Sequence, residues 1–100
     1  MKTTPWKNRM TDLANNLRVT NAKLAELIGV DPATVWRWTN SEHPVEPPSH
    51  LTQKVVEALE RIAVRGVADD FFKAIRTNKI QPKSREMLEA MFQYSAERRF

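Results

Sequence analysis

Apolar residues repeat at helical spacing from the beginning of the chain. The first group steps by four, three, one and three residues and consists of Trp6, Met10, Leu13, Ala14 and Leu17. Because these steps place the side chains on one face of a helix, we predict a first helix over 6–17. The same spacing recurs further on and predicts a second, shorter helix over 21–28, with the Thr20 hydroxyl as its N-cap.

A three-residue break separates the second predicted helix from the next one. Gly29 can adopt the left-handed conformation that ends a helix, because it has no Cβ atom. Asp31 can then cap the free amides of a new helix. Pro32 suits the first helical position, where its missing N–H group loses no hydrogen bond. We therefore predict a third helix over 32–40.

The remainder of the chain is predicted to be helical as well. Three prolines indicate a loop over 41–48. Apolar stripes beyond it predict three more helices, over 49–65, 67–77 and 84–99. No segment alternates apolar and polar residues over a useful length, so the expected fold class is all-α, with five or six helices. We expect a main domain at 1–65 and a helical extension at 66–100.

The composition indicates a basic protein and excludes several kinds of chemistry. The net charge is +4, from 16 basic and 12 acidic residues, which favours a polyanionic partner. The chain has no cysteine, so disulfides and thiolate chemistry are excluded. No apolar run approaches the ~20 residues of a membrane span, and none follows 1–5 as in a signal peptide. We therefore expect a cytoplasmic protein without a membrane partner.

The polar residues form no pattern typical of an enzyme or a metal site. His43 and His50 are seven residues apart and have no carboxylate cluster at ligand spacing. Asp69 and Asp70 are adjacent on a predicted helix, where they point about 100° apart and meet the helix dipole in the first turn. No catalytic triad or glycine-rich phosphate loop occurs, so we expect a non-enzyme without cofactor or metal.

The second and third predicted helices match a helix-turn-helix motif, in which one helix braces another that lies in the DNA major groove. Ala25 is small where the two helices must cross closely, and Gly29 occupies the turn. Val35 and Trp38 are apolar where the third helix must face the second. Together these residues predict a DNA-binding corner.

This corner resembles the lambda repressor/Cro-like helix-turn-helix family. The resemblance is carried by a leucine-alanine pair, a glycine turn and a late tryptophan, within the set Leu24, Ala25, Ile28, Gly29, Val30, Val35 and Trp38. It covers about residues 6–65 and implies a small regulator from a phage or mobile element, which represses promoters, including its own, as a homodimer. The chain departs from the family at Pro32 and Ala33, where a polar residue commonly opens the recognition helix.

The outer face of the third helix provides the candidates for reading bases. When Val35 and Trp38 face inward, the 100° step per residue leaves five side chains outside. These are Ala33, Thr34, Trp36, Arg37 and Asn40. Arg37 can form two hydrogen bonds with guanine, and Asn40 can bond adenine or a phosphate. Two alternatives stay open, since Trp36 can instead pack under the loop and Asn40 can cap the third helix.

Contacts to the DNA backbone are expected around the start of the second helix, where backbone amides and cations face outward. The candidates for phosphate contacts are Arg18, Asn21, Ala22, Lys23, Ser41 and His43. Lys7 and Arg9 on the first helix are further candidates. Such contacts position a protein on double-stranded DNA and specify little sequence.

The extension carries more apolar surface than two short helices can bury between themselves. Its candidate interface residues are Phe71, Phe72, Ile75, Met87, Leu88, Met91 and Phe92. We expect them to join a second copy of the chain, because a homodimer places two recognition helices about 34 Å apart on a palindromic operator. They can alternatively fold onto the first and fourth helices of a monomer. A third alternative is a different protein partner, as in an antitoxin or an adaptor.

Overall fold

The computed structural model describes residues 5–40 and 49–96, which form six helices and no strand. The helices are α1 (Trp6–Leu17), α2 (Asn21–Ile28), α3 (Pro32–Asn40), α4 (His50–Arg65), α5 (Ala68–Thr77) and α6 (Arg85–Ser95). The predicted all-α fold class is confirmed, and α1 to α3 have the predicted bounds. The last helix is shorter than predicted, because Ala96 takes an extended conformation and ends it. Among the described helices, none combines the length and hydrophobicity that a membrane span requires.

Local signals in the sequence account for the helix ends around the second helix. The Thr20 hydroxyl accepts a hydrogen bond from the Lys23 amide at 3.1 Å and caps α2. At the start of α3, the Asp31 carboxylate accepts a hydrogen bond from the Ala33 amide at 3.0 Å. A cap of this kind stabilises a helix by about 1 kcal/mol. Gly29 ends α2 in the left-handed conformation, as predicted.

One apolar core extends through all six helices. Its largest fully buried side chains include Met10, Leu13, Leu24, Leu27, Leu59, Ile62, Phe71 and Met91, from α1, α2, α4, α5 and α6. Helices of 8 to 16 residues are marginal in water on their own, so this shared burial holds them in place. α3 joins the core through Val35 and Trp38.

The extension folds back onto α4. α6 packs along α4, and α5 contacts both of these helices. The Arg65 guanidinium fastens the end of α6, because it donates hydrogen bonds to the backbone carbonyls of Tyr94, at 2.7 Å, and of Ala96. The predicted alternative places this hairpin on the first and fourth helices of a monomer, and the packing on α4 agrees with the contact to the fourth helix.

This packing reduces the number of candidate interface residues that a second copy of the chain could contact. Four of its residues are buried inside the chain and offer no surface to a second copy, and they are Phe71, Ile75, Met87 and Met91. The physical reason is that the extension packs on itself as well as on α4, since the Phe71 ring meets the Tyr94 ring of α6 at 5.7 Å and α6 packs along α4. The residues of the predicted set that keep exposed area are Phe72, Leu88 and Phe92. The homodimer itself stays a prediction.

Candidate nucleic-acid interface

The corner between α2 and α3 is fixed by hydrogen bonds at both of its ends. At the turn, the amides of Gly29 and Val30 donate to the Ala25 carbonyl, at 2.8 and 3.0 Å. Gly29 has a φ of +89°, a conformation that residues with a Cβ atom rarely adopt. At the opposite end, the Asn21 side-chain amide donates to the Thr39 hydroxyl at 3.2 Å. The first two bonds close the turn at the end of α2, and the third joins α2 to α3.

The inner face of α3 is anchored by an aromatic and ionic cluster. Val35 is fully buried, and the buried ring of Trp38 meets the Trp6 ring edge to face at 5.6 Å. The Arg9 guanidinium lies 5.1 Å from the centre of the Trp6 ring and donates to the Glu60 carboxylate at 2.7 Å. The hydrogen bonding with Glu60 raises the pKa of Arg9. Arg9 is therefore occupied in joining α1 to α4, although the sequence makes it a candidate for phosphate contact.

The outer face of α3 presents the predicted base-reading residues to solvent. Ala33, Trp36, Arg37 and Asn40 are exposed, and Thr34 is half-buried. The Trp36 side chain is 59% exposed, so it is not part of the core. Its predicted alternative partner, the loop over 41–48, lies outside the described residues. The Arg37 guanidinium donates a hydrogen bond to the Thr34 hydroxyl at 3.2 Å, which directs it along the outer face of the helix.

Asn40 caps the end of α3. Its side-chain amide donates to the Trp36 carbonyl at 3.1 Å and to the Thr39 hydroxyl at 2.9 Å. The first of these bonds reaches back four residues and adds a side-chain donor to a carbonyl in the last turn of α3. The capping alternative for Asn40 therefore describes its geometry in this chain, and a contact with DNA would have to compete with these bonds.

The start of α2 brings together most of the predicted phosphate contacts. Arg18 and Ala22 are exposed, and Asn21 is half-buried. The Lys23 ammonium lies 3.2 Å from the Glu26 carboxylate, with both side chains about half exposed. The Lys23 backbone amide was predicted to be available to a phosphate, but it donates a hydrogen bond to the Thr20 hydroxyl instead. The candidates Ser41 and His43 lie outside the described residues.

Comparison of the chain with models of protein families, with curated proteins and with solved structures gives no match. Over residues 5–40 and 49–96, no group of three or more histidine or carboxylate side chains is placed to hold a metal ion. A functional assignment therefore depends on the geometry of the chain itself, and above all on the α2–α3 corner.

Proposed function

We propose that this chain is a sequence-specific, double-stranded DNA-binding transcriptional repressor of the lambda repressor/Cro-like helix-turn-helix type. In this proposal α3 enters the major groove, and a homodimer occupies palindromic operators, including one at its own promoter. The observation that carries it is the division of α3, because Val35 and Trp38 are buried whereas Trp36 and Arg37 face solvent. A helix divided in this way and braced across a glycine turn suits major-groove reading.

Trp36 and Arg37 provide two kinds of contact that distinguish base pairs. An arginine can donate two hydrogen bonds to N7 and O6 of guanine, a fork that lysine lacks. Trp36 is unusual on a surface, because a large aromatic side chain that is 59% exposed leaves apolar area in water. Contact with a thymine methyl group would remove part of that area from water. Arg18 and Lys23 supply the contacts to the DNA backbone.

The exposed apolar residues of α4 and α6 favour a protein partner in addition to DNA. Leu51 is 58% exposed and Phe92 is 40% exposed. Leu51 and Leu88 also line an apolar cavity of about 230 Å³ between α2, α4 and α6. In the repressor proposal a second copy covers this surface. The alternative function is an antitoxin or adaptor, in which a different protein covers it.

Light scattering on the purified chain separates these two functions. A stable dimer of the 11.6 kDa chain supports the repressor. A monomer that assembles only with a different protein supports the antitoxin or adaptor.

Sequence-specific DNA binding is tested in two steps. The purified protein first selects the duplexes that it binds from a random library, and its affinity for a selected duplex is then compared with its affinity for a scrambled one. Arg37→Ala is expected to lose about 1–3 kcal/mol of base discrimination, which is about 5- to 160-fold. Arg37→Lys keeps the charge without the fork, so it should lose sequence preference and keep its salt dependence. Arg61→Ala is the control, since Arg61 is also exposed but lies on α4.

Two outcomes would contradict the proposal, one for sequence-specific binding and the other for the role of Arg37. Wild-type protein that binds every duplex weakly and equally is not a sequence-specific repressor. Full sequence preference in Arg37→Ala would show that Arg37 reads no base. Thermal melting by circular dichroism on each variant confirms that a loss of binding is not a loss of folding.

A further inference from the structure

A charged cleft lies between the α1–α2 connection and α5. It has a volume of about 330 Å³, and the apolar side chains of Leu17 and Phe72 form part of its wall. Its charged residues are Arg18, Lys23, Asp69 and Arg76. Three cations therefore line the same cleft as a single carboxylate. They come from three separate elements of the chain, so the sequence does not group them.

The cations of this cleft have little compensation within the protein. Over the described residues, neither Arg18 nor Arg76 forms an ion pair. Lys23 pairs with Glu26, but both side chains are about half exposed, and exposed pairs of this kind contribute little. Like charges that line one cleft repel each other, and a bound anion relieves this repulsion. The cleft is therefore suited to an anionic ligand.

The position of the cleft relates it to the proposed DNA-binding corner. Lys23 lies in the first turn of α2, two residues after Asn21, whose side chain is bonded to Thr39 at the end of α3. If α3 occupies the major groove, the start of α2 faces the backbone of a flanking strand. A phosphodiester there would lie beside Lys23, which is also one of the cleft residues.

We propose that a backbone phosphate of the bound duplex occupies this cleft, and that Arg76 of α5 contacts it together with Arg18 and Lys23. This inference rests on the proposed function and adds a DNA contact from the C-terminal extension. α5 then has two faces with different roles. Phe71 packs into the core, whereas Arg76 is exposed and lines the cleft.

The test compares the salt dependence of duplex binding in Arg76→Gln and in Lys73→Gln. Lys73 is an exposed cation on the same helix and does not line the cleft. Loss of one phosphate contact lowers the slope of log K against log salt by about 0.9, which is about eightfold in affinity between 1 M and 0.1 M salt. We expect this change in Arg76→Gln and not in Lys73→Gln. Sequence preference should be the same in both variants, because a phosphate contact reads no base.

A second pair of variants tests for an increase in duplex affinity. Asp69 lines the cleft, and the adjacent Asp70 does not. Both lie in the first turn of α5, so their substitution by asparagine has the same effect on the helix dipole. Asp69→Asn removes a charge that repels phosphate and should raise affinity for specific and scrambled duplexes alike. Asp70→Asn should change it less.

The outcomes distinguish this inference from the proposed function. Wild-type protein that binds no duplex overturns both. Normal duplex binding with equal slopes in Arg76→Gln and Lys73→Gln overturns the cleft contact alone. A titration with inorganic phosphate provides the third arm. If Arg76→Gln abolishes phosphate binding but leaves duplex affinity unchanged, the cleft holds small anions rather than DNA, and the inference is wrong.

Discussion

The two tryptophans of α3 lie two residues apart and are expected to respond in opposite ways to truncation. Trp38 is 7% exposed and its ring meets that of Trp6 at 5.6 Å, whereas Trp36 is 59% exposed. Val35 and Trp38 are the buried residues of α3, so Trp38 supplies much of the attachment of this helix to the core. Trp36 supplies little of it, and its side chain is available for another purpose.

The expected magnitudes follow from this burial. Truncation of a buried tryptophan to alanine costs about 3–5 kcal/mol, and this includes about 0.5–1.5 kcal/mol from the edge-to-face pair. Because a domain of this size has a free energy of unfolding of about 5–15 kcal/mol, Trp38→Ala removes a large share of it. Trp36→Ala should change the free energy of unfolding by no more than about 0.5 kcal/mol, as is usual at an exposed position.

The assay is urea unfolding followed by far-ultraviolet circular dichroism, since each variant removes a fluorophore that a fluorescence measurement would need. The denaturant slope must stay constant for the free energies to be compared. Trp36→Ala should then lower duplex affinity while the fold remains stable. A loss of more than about 1 kcal/mol in Trp36→Ala, or of less than about 1 kcal/mol in Trp38→Ala, would refute the assignment of the two faces.

Two further predictions concern the supports of the corner. A double-mutant cycle on Arg9 and Glu60 should give a coupling of about 1 kcal/mol that decreases in high salt, because the pair is partly exposed at 24% and 33%. The raised pKa of Arg9 means that its contribution is present at neutral pH and, as the pH rises, is lost only in strong alkali, so the Arg9 titration gives no pH dependence near neutrality. Gly29→Ala and Gly66→Ala should each lower the free energy of unfolding by about 1–2 kcal/mol, because both residues have a positive φ. A much larger loss at Gly29 would contradict the ordinary 3.4 Å contact that a Cβ atom there makes with Lys83.

The local part of the fold can be predicted because its signals lie within a few residues of each other. Thr20 caps α2, Gly29 ends it, and Asp31 caps α3, so the bounds of these helices follow from the sequence. The outer face of α3 follows from the helical step once Val35 and Trp38 are recognised as apolar. Each of these inferences uses residues on one helix or on two adjacent ones.

The contacts between distant elements could not be predicted in the same way. Arg9 and Glu60 are 51 residues apart, and nothing in either helix indicates the other. The same holds for Arg76 and Lys23, which share a cleft although they lie on α5 and α2. Apolar spacing in the extension shows that one face of each helix is buried but not what covers it. This is why Phe71 and Met91 could be predicted as dimer residues, although both are buried within the chain, where α4, α5 and α6 pack together.

The two clefts that border α2 separate the interactions proposed for this chain. The charged cleft, which Arg18 and Arg76 also line, includes Lys23 in the first turn of α2. The apolar cleft is the cavity that Leu51 and Leu88 line, and it includes Leu27 and Ile28 in the last turn. A helix of eight residues is about 12 Å long, so the clefts are too far apart to hold the same ligand group. A phosphate suits the first, whereas the second, with Leu51 and its apolar neighbours, suits a protein side chain. The proposed DNA contact and the proposed partner contact therefore involve different residues, and a substitution in one cleft can leave the other intact. For this reason DNA affinity and oligomeric mass have to be measured separately, because the first tests the proposed repressor and the second distinguishes a second copy from a different protein partner.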